Sequence, residues 1–187
     1  FISQEVHAIA SSVLYWLSSG NYEIVFRKIK SSLNNMNYND DQECSNILQL
    51  LSNVQLNTVS LSELLSNVNR VALTLRKPAQ LVLARVLRGL IWDWISVCPK
   101  EFVELNKSNS RIEGEPDKLF DLFDSWADSN KRRAVFWPLQ AALLLLCPDI
   151  FSDVVLPGSE QEKKSYRRQS HPTVEHFLES LRKQLKQ

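Results

Sequence analysis

The chain has 187 residues, 44% of them apolar, and its 22 lysines and arginines almost cancel its 21 aspartates and glutamates. That is enough sequence for one domain with a sizeable core. Basic and acidic residues balance within each half, 8 against 7 up to Asp93 and 14 against 14 after it, which excludes nucleic-acid or membrane binding driven by bulk charge. Glycine occurs only as Gly20, Gly89, Gly114 and Gly158. That is too few for a phosphate-cradling loop or a β-rich fold, and the composition points to helices.

Ile2, Val6, Ile9, Val13 and Leu17 step by four, three, four and four, which lines one face of a first helix and predicts that this face turns inward. Gly20 ends that helix and Asn21 is placed to cap the next, whose apolar stripe is Tyr22, Val25, Phe26, Ile29 and Leu33. A polar loop at 34–43 follows, then a helix with Cys44, Ile47, Leu48 and Leu51 inward. Ser60 and Glu63 have the spacing of a capping box. Beyond them Leu61, Leu64, Leu65, Val68, Ala72 and Leu75 share a face. Lys77-Pro78 forces a break. Leu81 to Val97 is apolar nearly all round and predicts the most buried helix, with Trp92 and Trp94 packing both neighbouring layers.

Pro99 opens a short helix carrying Phe102 and Leu105, and a polar linker spans 106–115. Pro116 starts a strongly amphipathic helix, and a further helix is expected to begin near Trp137-Pro138 and to end at Cys147-Pro148. A second polar linker covers 157–171. Pro172 then opens a last helix with Val174, Phe177, Leu178, Leu181 and Leu185 inward. The pattern is eight or nine helices and no strand.

A weak repeat appears at a separation of 49 residues: Val97-Cys98-Pro99-Lys100-Glu101-Phe102 lies over Leu146-Cys147-Pro148-Asp149-Ile150-Phe151. Val86, Leu90 and Ile95 fall over Val135, Leu139 and Leu144. That spacing is close to the roughly 40–47 residues of a HEAT or armadillo unit. An amphipathic helix of this size does not bury enough surface to stand alone and needs neighbours on both sides. The expected fold is therefore an all-α solenoid of HEAT/armadillo-like repeats forming a single segment over 1–187, with a closed helical bundle as its competitor.

The residues offer no catalytic apparatus. His7, His171 and His176 form no metal-ligand spacing, and no nucleophile elbow, Walker loop or dinucleotide fingerprint occurs. No catalytic residue, metal site or cofactor is assigned. Cys44, Cys98 and Cys147 are odd in number and widely spaced, so they are read as reduced thiols of a cytosolic protein, with the sequon Asn106-Lys107-Ser108 a chance match. The longest apolar run, Ala134 to Cys147, is shorter than the roughly 20 residues of a membrane span and predicts a buried helix. The chain opens at Phe1 without a signal peptide and is read as a fragment of a longer protein.

Three features bear on binding. Asp117, Asp121, Asp124 and Asp128 share one helix face. That face is either an acidic surface for a basic partner or the solvated side of an amphipathic helix. Lys131-Arg132-Arg133 follows and can neutralise the carboxyl end of that helix. The basic stretch 163–170 contains Arg167-Arg168-Gln169-Ser170, the pattern a basophilic kinase recognises, and a phosphate on Ser170 would add negative charge just before the last helix. The five tryptophans (Trp16, Trp92, Trp94, Trp126, Trp137) are read as core anchors rather than stacking platforms.

The segment from Lys118 through Ala134-Val135-Phe136-Trp137-Pro138-Leu139-Gln140 to Leu146-Cys147-Pro148-Asp149-Ile150 closely resembles the N-terminal region of the neurofibromin family. Pro78-Ala79-Gln80-Leu81, Trp92-Asp93-Trp94, Pro99-Lys100-Glu101-Phe102, Ala10 to Leu14 and Asn21 to Phe26 are similar to the preceding stretch, and departures concentrate in the loops. The resemblance implies a helical-repeat arm of a large cytoplasmic Ras GTPase-activating protein. In that family the activating domain and its arginine finger lie far downstream, and no arginine of this chain matches them. What it implies here is a non-catalytic scaffold whose first partner is the rest of the parent chain. It further implies homodimer assembly in the full-length protein and contact with Ras only through the absent domain, without nucleic acid or membrane insertion. The rival reading is a docking module that uses the Asp117/Asp121/Asp124/Asp128 face or the 163–170 linker.

Overall fold

The computed structural model describes residues 2–150 and 171–185, and among them the chain is entirely helical, without a strand. The helices are α1 (Ile2–Gly20), α2 (Tyr22–Asn34), α3 (Asp41–Leu51), α4 (Thr58–Val71), α5 (Lys77–Val97), α6 (Pro99–Lys107), α7 (Pro116–Trp126), α8 (Asn130–Leu145) and α9 (Pro172–Leu185), with a 3-10 turn at Ala72–Thr74. The stretch with Ser170 and the basic pairs lies outside the described residues, as do the side chains of Ile2, His7 and Leu185.

The packing is regular. α2 packs on α4, α4 on α7 and α7 on α9, while α3 packs on α5 and α5 on α8. α1–α2, α2–α3, α4–α5 and α7–α8 are also in contact. The main contacts thus join helices one to three places apart in the chain. The core runs through this set as one buried cluster, from Phe26, Ile29 and Leu33 to Val174 and Phe177. Long residues on α5 hold its middle: Leu83, Leu87, Ile91 and Trp94 are buried, and the Trp94 indole N–H faces Thr58 Oγ1 at 3.3 Å.

Local rules explain most boundaries. Asp40 caps α3, its carboxylate accepting from the amides of Gln42 (2.9 Å) and Glu43 (3.0 Å). The capping box of α4 begins three residues earlier than predicted: Asn57 is the cap and Ser60 the third helical residue. Asn57 Oδ1 accepts from the Ser60 amide at 2.9 Å, and Ser60 Oγ accepts from the Asn57 amide at 2.7 Å. Ser60 is fully buried there. Asn21 does sit at the start of α2, but its side chain makes no capping bond.

Pro138 was expected to open a helix and instead lies inside α8, which begins eight residues earlier at Asn130. Proline removes one helical hydrogen bond, at a penalty of about 3 kcal/mol. Burial of Phe136, Leu139, Ala142 and Leu143 on both sides of it outweighs that penalty at about 2 kcal/mol for each large side chain. Lys131-Arg132-Arg133 therefore belongs to the first turn of α8. Arg132 Nε donates to the Trp126 carbonyl at 2.6 Å and Arg133 Nε to the Ala127 carbonyl at 3.2 Å, so both arginines do cover the carboxyl end of α7.

Of the linker expected at 106–115, Asn106 and Lys107 are the last residues of α6, and 108–115 forms a strap rather than a spacer. The Ile112 amide donates to the Leu146 carbonyl at 3.0 Å and its side chain is buried, while Asn69 Nδ2 donates to the carbonyls of Gly114 (2.9 Å) and Glu115 (3.2 Å). Gly114 has φ of 101°, and a Cβ there would run into the Ser62 carbonyl and lie 2.9 Å from Leu65 Cβ. Gly114→Ala should therefore destabilise the protein by about 2 kcal/mol or more in a denaturant melt. Gly89 is the contrast: it lies in α5 with nothing within 4 Å of an added Cβ. Gly89→Ala should stabilise by roughly 0.5–1 kcal/mol, and a loss of stability in the same melt would show the site is not open.

Candidate interaction surface

Of the four aspartates expected to share one helix face, Asp117, Asp121 and Asp124 fall along α7 while Asp128 lies two residues beyond its end at Trp126, and each faces a group of the same chain. Asp117 Oδ2 is 2.7 Å from Arg111, whose guanidinium also holds Asp149 at 2.5 Å. Asp121 is 3.6 Å from His171 Nε2, and Asp128 is 3.5 Å from Arg132. Asp124 accepts from Gln140 Nε2 at 3.1 Å and lies 3.9 Å from His176 Nδ1. Asp117 and Asp124 are half-buried, while Asp121 and Asp128 are exposed. The row thus joins α7 to the strap, to α8 and to α9. Phe120 and Phe177 complete the α7–α9 contact edge to face at 5.4 Å, and Trp137 of α8 meets Phe177 at 6.0 Å.

An open groove of about 1300 Å³ runs along α4 beside the strap. Its charges are mixed and already engaged in part: Lys30 lies 3.9 Å from Glu63, and Lys118 pairs with Glu115. Among the described residues, no three His, Cys, Asp or Glu side chains gather where they could hold a metal ion. Nor is any helix there long and apolar enough to cross a membrane.

Cys44, Cys98 and Cys147 are free and buried. Burial pushes the Cys147 thiol up to about 12 despite the nearby Arg111, and it raises Cys44 and Cys98 as well. A thiol so held is a packing group rather than a nucleophile.

The surface feature that stands out is α1, which is turned the opposite way from the prediction. Val6, Ile9, Val13, Trp16 and Leu17 are 49% to 72% exposed. The face against the protein is instead Ser11, Leu14, Tyr15 and Ser18. Two polar contacts hold that orientation. Ser18, fully buried, accepts from the Gln55 amide at 2.8 Å, and the Tyr15 hydroxyl points at Asp93 from 3.5 Å. Burial raises both Tyr15 and Asp93 above their ordinary values; the neighbouring Asp93 carboxylate adds to the Tyr15 shift, while the hydrogen bond from Tyr15 opposes that of Asp93. Trp92, predicted as a core anchor, is 50% exposed on α5 beside Asp93, whereas Trp94 is 1% exposed. On α5, Arg85, Arg88, Gly89 and Trp92 share the outward side, so this helix is not buried all round. Periodicity finds an apolar stripe but does not say which way it faces; the small serines of α1 were the missed signal, since they permit close packing.

No protein-family model matches the chain.

Two outcomes follow. Trp94→Ala should cost about 3–5 kcal/mol and Trp92→Ala under about 1 kcal/mol in parallel denaturant melts. In the unfolded chain the Cys147 thiol ionises near 9.0, but in the fold only near 12. The unfolded state therefore loses its proton first, and stability should fall as pH rises from about 9 towards 12, with Tyr22, pushed by burial from 10.0 to about 12, adding to the decline. Denaturant midpoints that stay flat between pH 7 and about 10.5 would contradict this.

Proposed function

We propose that this chain is a segment of a non-catalytic α-solenoid scaffold of the HEAT/armadillo kind, belonging to a cytoplasmic negative regulator of Ras signalling similar to the neurofibromin family. The observation that carries the fold part of this reading is the packing order: α2, α4, α7 and α9 succeed one another, as do α3, α5 and α8. Contacts confined to neighbouring units are what a helical repeat array produces. The 49-residue spacing supports it too: Cys98 and Cys147 are both buried before a proline, and Leu90 and Leu139 are both buried on packed helices α5 and α8.

The Ras part rests on the resemblance in Lys118–Ile150 and the Trp92-Asp93-Trp94 and Pro99 to Phe102 stretches. On this reading the chain positions a distant activating domain and performs no chemistry of its own. The carboxylates of α7 serve internal packing, in keeping with the partners each of them has within the chain.

Two experiments test it. Added to GTP-loaded Ras, the chain should leave the hydrolysis rate unchanged; an acceleration abolished by a single arginine substitution would overturn the non-catalytic assignment. Used as bait in cytosolic extract, it should enrich a neurofibromin-like chain. Stoichiometric recovery of an unrelated protein, lost on Asp121→Lys with Asp128→Lys, would make it a docking module instead.

A further inference from the structure

α5 carries a glycine that helix packing does not explain. Gly89 lies well inside the helix, where glycine is weaker than alanine, and an added Cβ would meet nothing within 4 Å. The space it leaves open belongs to a cleft of about 410 Å³ between α5, Tyr15 of α1 and the turn after α3. That volume is within the range of small-molecule sites. Buried Val54, Val86 and Leu90 give the cleft aliphatic walls.

Its charged groups stand at opposite ends. Arg85, Gly89 and Asp93 follow one another at intervals of four, a ridge of about 12 Å along α5 with a guanidinium at one end and a carboxylate at the other. Among the described residues Arg85 forms no ion pair or hydrogen bond. Asp93 has only the Tyr15 hydroxyl, at 3.5 Å, far beyond the roughly 2.6 Å of a strong hydroxyl–carboxylate bond. Burial raises the Asp93 carboxyl, as it does for an acid short of donors.

We propose that this cleft binds a linear aliphatic ω-amino carboxylate, with its ammonium at Asp93, its carboxylate at Arg85 and its methylene chain over Gly89. Free ω-amino acids and the C-terminal lysine of a peptide share that chemistry. The ammonium supplies the donors that Asp93 lacks, and the Tyr15 oxygen keeps lone pairs to accept from it. The carboxylate gives Arg85 a two-pronged acceptor. Between them the chain lies on Val86 and Leu90, in space that any larger residue at position 89 would fill.

The test is an amide-detected NMR titration of the chain with 6-aminohexanoate, Nα-acetyl-lysine, hexylammonium and hexanoate. The two zwitterion-like probes should saturate with dissociation constants of about a millimolar or tighter, moving the amides of α5 around Gly89, and each one-ended probe should bind about tenfold or more weakly. A preference for 6-aminohexanoate points to a free ω-amino acid, and a preference for Nα-acetyl-lysine to a peptide's C-terminal lysine. Arg85→Gln, at an exposed position, should lower the affinity for 6-aminohexanoate to that for hexylammonium and leave hexylammonium itself unchanged, a pattern that a damaged fold would not give. Gly89→Leu should abolish binding of both two-ended probes with the helical circular dichroism intact. No saturation by about 50 mM ligand, one-ended probes binding as tightly as 6-aminohexanoate, or undiminished binding to Gly89→Leu would each overturn the proposal. So would shifts confined to residues outside the cleft.

Discussion

The fold depends above all on the burial of α5 between α3 and α8. This helix is 21 residues long, and Ala79, Leu83, Ala84, Val86, Leu87, Leu90, Ile91 and Trp94 are buried along it. Small residues at 79 and 84 let neighbours approach, and the long ones fill the space between them, which is how helices reach crystal-like packing density. No single helix of the set has enough apolar surface to offset the entropy of ordering its own chain. α5 is where two such helices find a common partner, so the shorter α3 and the proline-containing α8 are both stabilised by it.

Connections between helices carry more of the structure than their polarity suggests. The 108–115 strap is fixed at one end by Arg111, bridging Asp117 and Asp149, and in the middle by buried Ile112 on the Leu146 carbonyl. At Gly114 and Glu115 the backbone enters the left-handed region and is held by Asn69. One arginine thus ties the start of α7 to the turn after α8, and the acidic face of α7 is drawn into internal contacts along its length.

What was legible in the sequence was the identity of the stripes. Leu61, Leu64, Leu65, Val68, Ala72 and Leu75 are all buried as their spacing demanded, as are Cys44, Leu48, Leu51, Val174 and Phe177. Helix starts at Pro99, Pro116 and Pro172 were also legible, because proline fits the first turn and little else. What was not legible was anything set by tertiary contact. The orientation of α1 is decided by Ser18 and Tyr15 reaching Gln55 and Asp93, which are 37 and 78 residues away in sequence. Pro138 reads as a boundary locally and is overridden by the burial around it. The α7 aspartates look like one surface in a helical wheel, yet they meet partners from the strap, α8 and α9.

Neighbour-only packing is the claim on which the scaffold reading stands, and native-state hydrogen exchange of Phe177→Ala tests it most directly. Phe177 touches Phe120 and Trp137 at the α9 end and is far along the packing order from α3 and α4. In an array, loss of protection should be largest in α9, smaller in α7 and α8, and absent in α3 and α4. A uniform loss of protection across all the helices would contradict the account and show a closed, fully cooperative bundle.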